Sequence, residues 1–140
     1  MKKVAVVILN FKVKEHVLKC IDSVKKSTYR NIKIILVDNN SGDGIEDEIK
    51  QNGNLEFIQT KDNLGYTGGN NIGIKRALEE KSDLIFLLNP DTILSERAIE
   101  ILVGNMIIED VGIAGPKIYF FPTGETKKYG MQEGYLKGLM

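Results

Sequence analysis

The 140 residues of this chain suffice for one domain with its own core, since 42% are hydrophobic and 27% are charged. The 19 basic and 19 acidic residues cancel, which argues against nucleic acid or an anionic membrane as a partner. The single cysteine, Cys20, excludes an internal disulfide and a cysteine-cluster zinc site and is compatible with a cytoplasmic protein.

Short apolar runs alternate with helical patterns along the chain. The runs that predict β-strands are residues 4–9, 33–37, 55–58, 84–88 and 111–114. No apolar stretch approaches the roughly 18 residues that a membrane-spanning helix needs, so we expect no membrane span. Because the strands are almost continuously apolar, we expect both faces of the sheet to be covered.

Helical patterns lie between these runs. The first repeats Val17, Ile21 and Val24 at helical spacing, and three more are predicted at 44–51, at about 68–80 with Ile74 and Leu78 inward, and from an N-cap at Ser95 to about 109. The alternation predicts an α/β fold, with a mostly parallel, Rossmann-like sheet flanked by helices. With no repeat and no linker, we expect a single domain over 1–140.

Each of the first four predicted strands is followed by polar residues. In a parallel sheet these strand ends share one edge, where ligands bind. Any one such cluster is as often an ordinary polar loop, but four on one edge indicate a site. The clusters begin at Asn10, at Asp38 and Asn39, at Asp62, and at Asn89 with Asp91.

Two of these clusters have chemistry that suits a nucleotide. Asp38 could accept hydrogen bonds from a uracil or thymine N–H or from a ribose hydroxyl, or it could serve only to cap its own turn. The segment 62–71 places Gly65 and Gly69 near a helix start, where a phosphate can approach the backbone. It matches neither a P-loop nor a dinucleotide fingerprint, and its glycines could serve helix packing alone.

The fourth cluster, Asn89-Pro90-Asp91, fixes a carboxylate at the end of a buried strand. Mg²⁺ or Mn²⁺ takes only one or two protein carboxylates and completes its shell with water and phosphate oxygens, so one aspartate can suffice. The same tripeptide is also typical of an ordinary turn.

Together these segments resemble family 2 glycosyltransferases, particularly the bacterial rhamnosyltransferase-like members. The resemblance covers about residues 4–121 and implies a GT-A fold that binds a nucleoside diphosphate sugar, either a dTDP- or a UDP-sugar. It also implies inverting transfer to a hydroxyl of a glycan or lipid-linked acceptor in cell-surface polysaccharide synthesis. The segments that carry it are VVILNF at 6–11, ILVDNNSGD at 35–43, DNLGYTGGNNIGI at 62–74 and LLNPDT at 87–92.

The resemblance also assigns roles to residues. Asn10 and Asp38 look like nucleoside contacts, and Asp91 looks like the last acid of an Asp-X-Asp motif that holds the divalent cation, Mg²⁺ or Mn²⁺. Asn89 stands where the first acid would be, as a neutral ligand. The residues that would lie along the donor are Asn39, Asp62, Gly65, Gly69 and Asn70.

The family's catalytic base lies in an acceptor-side Glu-Asp motif well after the metal motif. The last 30 residues contain only two acids, Glu125 and Glu133, and no Glu-Asp pair, so we expect the base to be absent from this chain and residues 116–140 to be the incomplete start of the acceptor side. We also expect the apolar run 118–121 to favour self-association where it is exposed, and the full-length protein to be peripheral to the inner membrane.

Two other functions remain open. A sugar-phosphate nucleotidyltransferase shares the layered sheet and an aspartate-bound metal, but it normally has a glycine- and lysine/arginine-rich loop after its first strand, which Asn10-Phe11-Lys12 does not supply. A non-catalytic nucleotide-binding module would account for the missing base and for Asn89.

Overall fold

The structure, a computed structural model, describes residues 1–50, 54–106, 108 and 111–118. Residues up to Arg97 form one compact unit, and a second unit begins at Ala98. Among the described helices, none is both long enough and apolar enough to cross a bilayer. The elements are β1 (Val4–Asn10), α1 (Lys14–Lys25), β2 (Ile32–Asp38), α2 (Ile45–Ile49), β3 (Leu55–Gln59), α3 (Gly65–Glu79), β4 (Leu84–Leu88) and, in the second unit, α4 (Ala98–Asn105).

The four strands form one parallel sheet in the order β3-β2-β1-β4, which confirms the predicted α/β fold. β1 lies between β2 and β4, and all seven of its residues are buried. In this order, the connection from β1 to β2 runs toward the β3 edge of the sheet, and the connection from β3 to β4 runs back toward the opposite edge. Right-handed crossovers therefore place α1 and α3 on opposite faces of the sheet.

Small residues form the face of α3 that packs on the sheet. Gly69, Gly73 and Ala77, spaced four apart, are buried there. A Cβ on Gly73 would lie 2.3 Å from the Cγ1 atom of Val7, and one on Gly69 would lie 2.4 Å from the Cδ1 atom of Leu9. The helix backbone therefore approaches β1 too closely for any larger side chain.

Several sequence predictions about element positions are wrong. Leu78 is 62% exposed, because the small residues of α3 and not its leucine face the sheet. α3 begins at Gly65, and α4 begins at Ala98 instead of following a cap at Ser95. Residues 111–114 form no strand, since Gly112 interrupts a very short apolar run and Ile113 is 94% exposed. Of the predicted self-association run 118–121, Ile118 is 44% exposed, and residues 119–121 lie outside the described residues.

An ion-pair network ties α3 to the amino-terminal part of the sheet. Arg76 contacts Glu56 on β3 and, at 2.7 Å, Glu80. Glu80 also pairs with Lys3 at 3.0 Å, and Glu56 with Lys33 at 3.7 Å. This network lies away from the carboxyl ends of the strands, so it supports the fold without entering the candidate site.

Candidate functional site

The predicted polar residues follow the carboxyl ends of neighbouring strands. Asn10 and Asp38 are paired in the β1–β2 register, and Asp38 is also paired with Gln59 at the end of β3. Leu88, the last residue of β4, is paired with Ile8 of β1, so Asn89 leaves the sheet at the same edge. The candidate site is this edge.

Asn10 and Asp38 belong to a buried hydrogen-bonded cluster. The Nδ2 atom of Asn10 donates to the Oδ1 atom of Asp38 at 2.7 Å, to the Oγ atom of Ser41 at 2.8 Å and to Asp43 at 3.0 Å. The Asp38 carboxylate also accepts bonds from the Ser41 hydroxyl and, at 3.2 Å, from the Ser41 backbone N–H. Asp38 is 2% exposed, so its carboxylate organises its own turn, and its contact with a nucleoside stays a prediction.

Asn39 connects the end of β2 to the glycine-rich loop. Its Nδ2 atom donates to the Oδ1 atom of Asn63 at 2.8 Å and to the carbonyl of Gly65 at 3.1 Å, and its Oδ1 atom accepts the N–H of Leu64 at 2.9 Å. Asn39 is only 1% exposed. Its side chain is therefore occupied in fixing the loop. The side chain of Asp62 is exposed, and the backbone carbonyl of Asp62 accepts a bond from the Thr60 hydroxyl at 2.8 Å.

Two of the three predicted donor-binding residues of α3, Gly69 and Asn70, face inward. Gly69 packs against Leu9, and Asn70 is 5% exposed and donates from Nδ2 to the carbonyl of Tyr66 at 2.9 Å. Gly65, by contrast, is exposed at the first position of the helix with φ +70, a backbone conformation that glycine adopts without strain. Helix packing accounts for Gly69, while Gly65 lies where a ligand could approach.

Asn89 and Asp91 lie in a hydrogen-bonded turn. The N–H of Thr92 donates to the carbonyl of Asn89 at 3.1 Å, which makes residues 89–92 a β-turn with Pro90 at its second position. The hydroxyl of Tyr66 donates to the Oδ1 atom of Asn89 at 3.0 Å. Asp91 is exposed, so its carboxylate is accessible from solvent.

Cys20, on α1, lies beneath this turn. It is fully buried, and its Sγ atom donates to the carbonyl of Asn89 at 3.6 Å. Burial, and to a smaller extent the charge of Asp91, raises the pKa of the Cys20 thiol to about 12. The thiol therefore stays protonated at neutral pH and has a structural role.

A pocket of about 280 Å³ opens at this edge. Most of its wall is apolar, and its polar groups are largely engaged with one another. An apolar pocket with a few polar groups is the usual form of a small-molecule site. Its lining residues are Leu9, Phe11, Val13, Asn39, Asn63, Gly65, Tyr66 and Pro90.

Phe11 and Tyr66 are the two aromatic residues of the pocket, and the sequence predictions did not name either as a site residue. Phe11 is 39% exposed directly after β1, and Tyr66 is 61% exposed at the start of α3. The sequence did contain a signal for both residues. Phe11 immediately follows a buried strand, and Tyr66 immediately follows a glycine at the carboxyl edge of the sheet. Lys12, next to Phe11, has φ +58, a conformation uncommon for residues other than glycine and often found near functional sites.

The oxygen atoms at the turn suit a hard divalent cation only in part. Asp91 supplies a carboxylate and Asn89 an amide oxygen, both of the kind that Mg²⁺ and Mn²⁺ accept. In the part of the chain that the structure describes, no three histidine, cysteine, aspartate or glutamate side chains are grouped to hold a metal ion. The donor set therefore fits a cation that takes its other ligands from water and a bound phosphate.

Known proteins similar to this chain are glycosyltransferases. It is 26% identical over 136 residues to the glycosyltransferase GlyG of Streptococcus pneumoniae, covering 87% of this chain and 44% of that protein. It is 27% identical over 110 residues to the dTDP-rhamnosyl transferase RfbF of Shigella flexneri, covering 74% of this chain and 37% of that protein. The chain thus spans less than half the length of these relatives.

The fold is also found among solved glycosyltransferase structures. The mannosyltransferase PcManGT of Pyrobaculum calidifontis, solved with GDP-Man and Mn²⁺, superposes with a TM-score of 0.73 at 14% identity. The match covers 79% of this chain and 34% of that one. It supports the predicted GT-A fold.

The sequence profile described as Glycosyl transferase family 2 matches residues 5–138, nearly the entire chain. This match confirms the resemblance inferred from the strand-end segments. The order of elements in this chain, its strand-end residues and its relatives all agree with that match. The chain belongs to glycosyl transferase family 2.

Proposed function

We infer that this chain binds a nucleoside diphosphate sugar, with dTDP or UDP as the nucleotide, at the carboxyl edge of its sheet. The observation that carries this proposal is the pocket of about 280 Å³ between the ends of β1 and β2 and the 89–92 turn. Its wall is apolar where a base would lie, and Asp91 is exposed on the turn that also contributes Pro90 to the pocket. The similarity to a dTDP-rhamnosyl transferase supports the choice of nucleotide.

The base of the nucleotide would pack against the rings of Phe11 and Tyr66. Stacking of a base on an aromatic side chain contributes about 1–3 kcal/mol. Asp38 would contact the nucleoside by exchanging its bond from the Ser41 hydroxyl for one from a base N–H or a ribose hydroxyl. Asn10, which bonds to both Asp38 and Ser41, would keep the carboxylate oriented during that exchange.

Asp91, with Asn89, would hold a Mg²⁺ or Mn²⁺ ion against the diphosphate. Such a cation neutralises the negative charge that develops on the departing nucleoside diphosphate. The sugar would pass with inversion to a hydroxyl of a glycan or lipid-linked acceptor, in cell-surface polysaccharide synthesis. The family relatives support this reaction class, and donor binding is the part of it that we assign to residues of this chain.

Calorimetric titration with UDP and with dTDP, with and without Mn²⁺, tests the proposal. We expect binding of at least one nucleotide that Mn²⁺ strengthens. Asp91→Ala should weaken the Mn²⁺-dependent binding by about 1–3 kcal/mol, because a charged partner of a bound charge is lost.

Asp83→Ala is the matched control, since Asp83 precedes β4 while Asp91 follows it. This variant should bind as the wild type does. A folded wild-type protein that binds neither nucleotide would refute the proposal, and an Asp91→Ala variant with unchanged Mn²⁺-dependent affinity would refute the metal assignment.

A further inference from the structure

The 89–92 turn is anchored on its backbone side by α1. The Sγ atom of Cys20 donates to the carbonyl of Asn89 at 3.6 Å, and the N–H of Leu94 donates to the Oγ atom of Ser23 at 3.1 Å. Cys20, Ser23 and Leu94 are all buried. The backbone on both sides of Asp91 is therefore held from within the protein.

The side chain of Asn89 is exposed. The χ2 angle of an asparagine takes a broad range of values, so without a restraint the amide group has no fixed orientation. The Tyr66 hydroxyl supplies a restraint, since it donates to the Oδ1 atom at 3.0 Å. While the Tyr66 hydroxyl donates this bond, the amide oxygen of Asn89 is held turned toward Tyr66.

The Tyr66–Asn89 hydrogen bond also connects two loops that flank the pocket. Tyr66 belongs to the first turn of α3, next to Gly65, whereas Asn89 follows β4. Tyr66 and Pro90 both line the pocket. The bond therefore joins the glycine-rich segment to the turn that carries Asp91.

We propose that Tyr66 is a positioning residue that acts through Asn89, holding its amide oxygen in place for a cation-bound diphosphate. An amide oxygen has two lone pairs, so Asn89 can accept the bond from Tyr66 and still offer a ligand. This inference rests on the proposed function, because it concerns the same donor site.

The test is a double-mutant cycle of Tyr66→Phe and Asn89→Ala, read out as the dissociation constant for UDP or dTDP with Mn²⁺. Phenylalanine keeps the ring in the pocket and removes only the hydroxyl. We expect Tyr66→Phe to weaken binding roughly two- to tenfold, as expected for one lost hydrogen bond. In the Asn89→Ala background, the same change should have no further effect.

Tyr29→Phe is the matched control, since the Tyr29 hydroxyl donates to the carbonyl of Lys2, before β1 and at the opposite edge of the sheet. It should leave the dissociation constant unchanged. Melting temperatures of both tyrosine variants should match the wild type, because Tyr66 is 61% exposed and both hydroxyl bonds lie at exposed positions.

Two results would overturn the inference while leaving the proposed function intact. One is a Tyr66→Phe variant that binds as tightly as the wild type. The other is equal weakening in both backgrounds, which would mean that the hydroxyl contacts the ligand directly. A wild-type protein that binds neither nucleotide would instead refute the proposed function and the inference with it.

Discussion

Replacing Gly73 with alanine should destabilise the protein, although alanine is the better helix former. The added Cβ would lie 2.3 Å from the Cγ1 atom of Val7, which is 1.1 Å short of the 3.4 Å at which ordinary contact begins. It would also lie 3.2 Å from the Cγ2 atom of Val37. Both valines are fully buried in central strands and are stiff at χ1, so neither can turn aside without leaving its rotamer.

The two opposing effects have known sizes. Overpacking a core costs about 1–3 kcal/mol, while exchanging glycine for alanine within a helix gains up to about 1 kcal/mol. We therefore expect Gly73→Ala to lower the free energy of unfolding by about 1–2 kcal/mol. Urea unfolding followed by far-ultraviolet circular dichroism measures this difference.

Gly104→Ala is the matched control, because Gly104 lies in α4 and, apart from its chain neighbours and its own helix backbone, no atom of the described residues lies within 4 Å of the added Cβ. This variant should be as stable as the wild type or up to about 1 kcal/mol more stable. Adding Val7→Ala to Gly73→Ala should cost less than the two single changes summed, because the clash is removed. A Gly73→Ala variant at least as stable as the wild type would refute the close approach of α3 to β1.

Three further predictions concern the pocket, the buried thiol and the ion-pair network. Phe11→Ala should weaken UDP or dTDP binding by about 1–3 kcal/mol in calorimetry if the base stacks there, and unchanged affinity would contradict that placement. The pKa of Cys20 is raised to about 12 in the folded protein, so the stability that its neutral form contributes is complete below pH 9 and is lost as pH rises toward 12. Urea unfolding at pH 8 and pH 11 should therefore show a larger stability loss in the wild type than in Cys20→Ala, and equal losses would argue against a buried thiol. The pKa of Glu80 is lowered, mainly by its hydrogen bond from Lys3, so its contribution is present above pH 4.5 and is lost on acidification. Below that pH, the free energy of unfolding should fall more steeply with decreasing pH in the wild type than in Glu80→Gln. Asp47→Asn, which removes the more exposed Asp47–Lys50 pair, should change this pH dependence less.

The strands and the edge that carries the site could be predicted because their signals are local. The apolar run from Val4 to Leu9 is continuous, since β1 is covered on both faces, and parallel strands bring their ends to one edge by geometry alone. Asn10, Asp38 and Asn89 could therefore be placed on that edge without knowing their partners.

The rest depends on tertiary contacts that leave little trace in the sequence. The inner face of α3 is made of Gly69, Gly73 and Ala77, which carry almost no hydrophobic signal, so periodicity pointed to Leu78 instead. The bond between Tyr66 and Asn89 joins segments that no spacing rule relates.

The central position of β1 has a consequence for synthesis on the ribosome. The first strand of the chain acquires its β4 neighbour late, and the bond from the Lys3 N–H to Asp83 closes a loop of 80 positions. Until β4 has left the exit tunnel, one edge of β1 stays unpaired and Pro90 is not yet available to the pocket. A nascent chain that stops before residue 84 should therefore depend on chaperones and be unable to bind nucleotide.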